Sequence, residues 1–381
     1  MLNIQVTITL LSFLVSIYFT VFLKGSVIAG YHIIFAIGIL PLILAAMSYF
    51  IPVLTRSKQT KYLSLVPITG FIAGILVVGH FLIPEQLPYG HYIGACIDSI
   101  LTLFFGYWAY NAGIKAIGKP HACLNWYLAA IACLVMGLGA ILLSYAIPEQ
   151  QSSLRIFHLH MNTLGFIGIT AIGTLQVLLP TVASHPDQLA IRRLDRHLKW
   201  MLGGTLLVAG GAAWFHELAW VGLALLTIPI ASLFGSWRRL YIGEIFRING
   251  ALPILVTALC GYTITLLFGA IPANHYVITN PVFVFIVAFL MPLVMGSVSH
   301  LLPLWLCPGP QTPWHIKSKN CLALGGGLRG ITLLAGGVMV GLGYEMGWYL
   351  AVFTLAVFFL QILYIVKTLP LKPNSFRKPL H

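Results

Sequence analysis

Residues 29–51 read AGYHIIFAIGILPLILAAMSYFI, a run without one Asp, Glu, Lys or Arg. At about 1.5 Å of rise per residue, a helix of that length crosses the ~30 Å hydrocarbon layer of a bilayer. The run is continuously apolar, whereas a barrel strand would alternate over about ten residues, so the reading is a transmembrane helix.

Outward from this stretch, comparable runs recur at approximately 4–23, 62–83, 91–114, 122–147, 156–180, 200–215, 218–236, 249–271, 280–305, 330–345 and 347–366. The expected fold class is therefore an all-α integral membrane protein with twelve transmembrane helices, one polytopic domain over residues 1–381. Of the 381 residues 59% are hydrophobic and 8% charged, against about 25% charged in a soluble domain. Every connection is short, the longest running from Leu306 to Arg329, so no soluble domain is inserted and function must lie within or between the helices.

A net charge of +13 raises the question of nucleic acid. Of the 21 Lys and Arg, 19 fall in the connections after spans 2, 4, 6, 8 and 10 and in the C-terminal tail; only Lys24 and Arg155 lie in the others. This is the positive-inside pattern. It makes the basicity topogenic, excludes a nucleic-acid patch, and predicts a multi-pass protein with both termini cytoplasmic. Met1 to Val6 lacks a basic n-region and no small-residue cleavage site follows span 1, so a removed signal peptide is not expected. Six Cys without a Cys-x-x-Cys indicate neither a disulfide framework nor a zinc finger. Residues 187–199 set Leu189, Ile191, Leu194 and Leu198 among Arg192, Arg193, Asp195 and Arg196, the pattern of a short interfacial helix.

The inner ends of spans 2, 6 and 10 repeat a motif: Ala45-Met47-Ile51-Pro52, Gly173-Leu175-Leu179-Pro180 and Gly296-Val298-Leu302-Pro303. A small residue seven positions before a Pro shares its helix face, permitting close packing followed by a helix end. The nearly equal spacing predicts a threefold arrangement of four-helix repeats, about 1–120, 121–248 and 249–381.

Topology sorts the 13 His. His32, His80, His91, His158, His160, His216 and His275 fall at outer ends of spans; His121, His185, His197, His315 and His381 fall on the cytoplasmic side, where solvated loop positions are expected; His300 lies in the inner part of span 10. Polar side chains at membrane depth face the bundle interior, so the outer set is the candidate site. In span 6, His158, Asn162 and Gly165 share a face and His160 points elsewhere, so the two His serve different neighbours. His32 and His160 each precede their repeat-marking Pro by 20 residues, which puts them at equivalent depth, with Phe283 at that place in span 10. A neutral imidazole there suits haem iron or copper; a core His bonded to a neighbouring helix is the other reading. Asp98, seven residues after His91, is the carboxylate that could accept a ligand's second N–H. His216-Glu217 opens like a zinc-protease helix, but Trp220 replaces the second His. Met291 and Met295 read as core, and Gly325-Gly326-Gly327 as a flexible lead into span 11.

Twelve spans, four-helix repeats and His toward the outer side of spans 2, 6 and 7 resemble the catalytic subunit of the haem–copper oxidase superfamily. The stretches His32 to Gly38 and His158 to Gly173 are similar to segments of the smaller NnrS-type haem–copper proteins associated with nitric oxide stress. The resemblance implies haem b, with His32 as axial ligand and His158, His160 and Asn162 around the cofactor. It also implies copper, with His216 or the span 6 pair as its ligands; the placement of the outer side chains themselves makes His80, His91, His216 and Asp98 the candidate metal set. The implied setting is a bacterial inner membrane, with a redox or nitric-oxide role and an electron-donating respiratory partner. Span 10 lacks a His-x-His pair, span 7 an adjacent His-His and span 6 a His-Pro-Glu-Val-Tyr run, so a proton-pumping oxidase is not expected. The alternative is a permease for a metal ion or small solute, entered through the outer His and Asp98.

Overall fold

The computed structural model describes residues 2–58, 60–271 and 280–369. These residues form α1 (Leu2–Phe22), α2 (Val27–Thr55), α3 (Tyr62–Leu82), α4 (Gly90–Ile114), α5 (Cys123–Ala146) and α6 (Pro148–Ala183). There follow α7 (Ala190–Ala213), α8 (His216–Ile245), α9 (Ala251–Ala270), α10 (Pro281–Leu306), α11 (Pro313–Ala323), α12 (Gly326–Gly341) and α13 (Met346–Lys367). Expected spans 1 to 10 are α1 to α10, and spans 11 and 12 are α12 and α13. The described residues contain no strand, and the long apolar helices make the chain an all-α, multi-span membrane protein. All six Cys are free thiols.

The expected interfacial helix at 187–199 is not separate: it is the first part of the unbroken helix α7. Its amphipathic pattern is used in two directions. Leu189 and Ile191 are exposed, while Leu194 is fully buried and its carbonyl accepts the indole N–H of Trp126. Arg193 is buried as well, bonded to Asp187 and Gln176. Arg329, expected in a connection, lies in α12, where it donates to Gln361 and the Leu322 carbonyl and rests over the Phe358 ring.

By compactness the chain forms two units, residues 1–242 with 270–272, and residues 243–269 with 273–381. Their interiors share a device. α2, α6 and α10 each carry an internal π-helical stretch, Ile33–Ile39, Met161–Ile169 and Phe285–Leu290. These open 19, 19 and 18 residues before Pro52, Pro180 and Pro303. Four residues beyond those Pro, Arg56 and Ser184 turn into the left-handed region, at φ 54° and 53°, and α10 ends at Cys307. A π stretch widens the helix and frees backbone carbonyls, a feature frequent at functional sites.

Small residues let neighbouring helices reach each widened stretch. In the first unit Thr9 of α1 donates its hydroxyl to the Gly38 carbonyl at 2.9 Å, and Ser16 to that of Gly30 at 2.8 Å. A Cβ on Gly74 of α3 would stand 2.5 Å from the Ala36 carbonyl, and one on Gly165 of α6 2.7 Å from Cys133 of α5. In the second unit a Cβ on Gly261 of α9 would stand 1.8 Å from the Ala288 carbonyl, and one on Gly337 of α12 2.6 Å from the Ala288 Cβ. Lipid offers no hydrophobic drive between helices, so this close approach and the hydroxyl-to-carbonyl bonds hold the bundle together, each bond contributing about 0.6 kcal/mol.

The glycine triplet ahead of α12 is a close fit and not a flexible lead. Gly325 takes φ 69°, and a Cβ on Gly326 would lie 2.0 Å from the Gly250 carbonyl. Gly325 N–H donates to Asn249 Oδ1 and Gly327 N–H to the Ile248 carbonyl.

Candidate functional site

The site lies at one end of the first unit, where α2 begins, α3 ends, α4 begins and α6 is in its first turns. Each imidazole is half-buried there, and the helix geometry fixes which of its nitrogens remains free.

His32 is the last residue before the π stretch of α2, and its Nδ1 meets the Ile28 carbonyl at 2.8 Å. His160 is the last residue before the π stretch of α6, and its Nδ1 meets the Ile156 carbonyl at 2.9 Å. A carbonyl only accepts, so Nδ1 carries the proton in both and Nε2 keeps a lone pair. The equivalence drawn from the Pro spacing thus extends to the bonding of the ring.

His158 points away from His160, as a two-residue step on a helix requires, and donates Nδ1–H to the Gly137 carbonyl of α5 at 2.8 Å. Asn162, one turn on, donates its amide to the His158 carbonyl at 2.7 Å and lies 3.1 Å from the His158 ring. Asn162 therefore braces His158. His80 donates Nδ1–H to the Leu87 carbonyl at 2.9 Å, across the turn that joins α3 to α4. Four imidazoles thus have their second N–H fixed by backbone, the state in which Nε2 can ligate a metal or haem iron.

The same end holds a train of rings in contact, some tilted and some edge-on. His32 faces Phe81 at 4.8 Å between ring centres, Phe81 faces His80 at 5.2 Å, and His80 stacks on His91 at 3.8 Å. His91 continues to Tyr92 at 3.9 Å, and Tyr92 to Tyr145 of α5 at 4.9 Å. His32 also lies within electrostatic range of both His91 and His158. The structure therefore brings His32, His80 and His91 into one train of rings, with His158 and its neighbour Asn162 on one face of α6 and His160 on another.

The expected metal set is not assembled. His216 is exposed, its ring facing Trp220, and Asp98 sits two turns deeper than His91 on α4. His80 and His91 lie ring on ring, an arrangement that does not aim two lone pairs at one ion. Among the described residues no three His, Cys, Asp or Glu side chains could hold a metal ion together. Among the described residues the expected bond from Asp98 to a ligand imidazole is also absent: Asp98 Oδ1 and His91 Nδ1 find no hydrogen-bond partner there, and backbone carbonyls orient the rings of His32, His80, His158 and His160. His275 and His381 lie outside the described residues.

Two of the His expected to be solvated are structural instead. His315 is 1% exposed; its Nδ1 accepts the Thr312 N–H that opens α11 and its Nε2–H donates to the Cys307 carbonyl. His197 is buried against Ser232. At the start of α5 the His121 imidazole accepts the Cys123 N–H, and burial pushes its pKa below the ordinary value against the pull of Asp195.

Sequence reasoning missed Phe81, Tyr92 and the Gly137 carbonyl. The first two stand beside His80 and His91 in the chain, a signal that adjacency could have supplied. A carbonyl on another helix leaves no such trace.

No protein-family model matches the chain, and no curated protein or solved structure is detectably similar to it.

Proposed function

We propose that the chain is a haem-binding membrane protein with a redox role or a role in handling a small gas such as nitric oxide, its cofactor held at the histidine end of the first unit. The observation that carries this reading is the matched state of His32 and His160, which share a place in the repeat, a position at the edge of a π stretch and a backbone-bound Nδ1. Both present Nε2 as a neutral donor, which is what an axial ligand of a b-type haem must be. His158, braced by Asn162 and Gly137, adds a third oriented imidazole. A bound haem would supply one-electron chemistry or a gas ligand site; the residues of the chain fix ligand tautomers and exclude lipid from the ring edges. No copper ligand set is proposed, because the donors do not converge.

The charge pattern orients this end away from the cytoplasm of a bacterial inner membrane, with both termini inside, and the role calls for an electron donor at that membrane. The test is an absorption spectrum of protein purified in mild detergent, with iron and copper analysis alongside. A Soret band with stoichiometric iron is expected. Absence of both would overturn the reading.

A permease for a metal ion or small solute is the second reading. The interrupted helices α2, α6 and α10 favour it, since transport sites are commonly built on helices whose regular bonding is broken. Uptake of a labelled ion into vesicles, without a chromophore, is the outcome that would replace the first reading by this one.

A further inference from the structure

α4 carries a stripe of buried polar atoms. Among the described residues His91 Nδ1, Asp98 Oδ1 and Thr102 Oγ1 find no hydrogen-bond partner. They stand at i, i+7 and i+11, one face of the helix, and the stripe descends about 16 Å from the histidine end toward mid-membrane. Asp98 is 4% exposed and Thr102 1%. Buried polar groups in a membrane span are rare and mark ion or proton pathways.

The surroundings of Asp98 say which. From α3 it is faced by Gly70, where a Cβ would lie 3.8 Å from Asp98 Oδ1 and 3.7 Å from Leu44 of α2 and from Leu101; none of these titrates. Among the described residues no Lys or Arg pairs with Asp98. Along the stripe the titratable groups are His91 with His80 stacked on it, and His32 and Arg155 act on His91 from a distance. An isolated carboxylate desolvated in this way is costly, and taking up a proton relieves it. Thr102 adds a second sign. Thr9, Thr55, Thr163, Thr170 and Thr265 bond their hydroxyls back to the carbonyl four residues earlier. Among the described residues Thr102, like Thr205, makes no such bond, and its hydroxyl is free for the carboxyl one turn above.

We propose that Asp98 is an intramembrane proton-binding site, with Thr102 as its hydrogen-bonding neighbour and His91 as the group through which the proton exchanges. The proton passes from the His91 imidazolium through bridging water to the Asp98 carboxylate, leaving a neutral imidazole and a neutral acid; no electrons move. The site does not rest on haem binding and would stand in a permease equally well.

The experiment uses the full chain in membranes. A hydrophobic carbodiimide adds across the O–H of a carboxylic acid in apolar surroundings, and peptide mass mapping locates the adduct. Asp98 is expected to be labelled at neutral pH, with the label absent in Asp98→Asn and unaffected by sodium. An unlabelled Asp98 in folded wild-type protein overturns the site, and protection by sodium overturns it in favour of a metal-cation site. Infrared spectroscopy then follows the acid carbonyl band on transfer to heavy water. Its shift is expected to be at least several-fold slower in His91→Leu, or in His91→Gln if the leucine variant does not fold; an unchanged rate overturns the part given to His91.

Discussion

His158 donates its Nδ1–H to the carbonyl of Gly137, 2.8 Å away on the neighbouring helix, and the glycine at that place leaves room for Asn162 and Met161 of α6. A Cβ on Gly137 would stand 2.8 Å from Asn162 Nδ2 and 3.2 Å from the Met161 Cβ, whereas one on Gly139 would meet nothing within 4 Å. Gly137→Ala is therefore expected to lose about 1–3 kcal/mol through overpacking, read as a lower Tm in detergent. Gly139→Ala should be neutral or slightly stabilising, since alanine is the better helix former.

In the second unit Gly261→Ala should be more damaging still. Its Cβ would fall 1.8 Å from the backbone carbonyl of Ala288, an atom that no rotamer change can move, while Gly269 in the same helix has open space. Thermal unfolding of the two alanine variants should separate them by several degrees, and equal Tm values would contradict the packing of α9 on the π stretch of α10.

Arg193 and Asp187 form an ion pair whose side chains are 6% and 2% exposed. Asp187→Ala leaves a buried guanidinium with only Gln176 to satisfy it, which is expected to cost about 3–5 kcal/mol. Arg193→Met with Asp187→Ala in one chain should recover part of that loss. A double variant no more stable than Asp187→Ala alone would show that the charge is not the source of the cost.

Much of the fold was legible because lipid imposes two simple rules, apolar length and charge placement, and both are written locally in the chain. Pro52, Pro180 and Pro303 mark the three helices that carry π stretches, α2, α6 and α10. The π stretches were not, because Ile33–Ile39 and Phe285–Leu290 have no composition that separates a π from an α turn. Arg193 and Arg329 look like loop charges in the sequence, yet partners far along the chain, Gln176 and Gln361, bury them. At the candidate site, spacing separated the facings of His158 and His160. It did not show what orients the imidazoles, because those groups are backbone carbonyls, and every residue has one.

The charge pattern gives an orientation that labelling can check. A single Cys introduced at Gln86, between α3 and α4, should react with a membrane-impermeant thiol reagent in intact cells, and one at Lys119, between α4 and α5, only after the membrane is opened. The reverse result would invert the topology and put the histidine end on the cytoplasmic side.

Haem ligation by His32 and His160 is tested most directly by the absorption spectra of His32→Ala and His160→Ala beside the wild type, each purified in mild detergent. The matched bonding of the two rings predicts that each substitution by itself shifts or diminishes the Soret band while the helix content stays that of the wild type. Unchanged spectra in both variants, or a wild type with no Soret band to change, would contradict it.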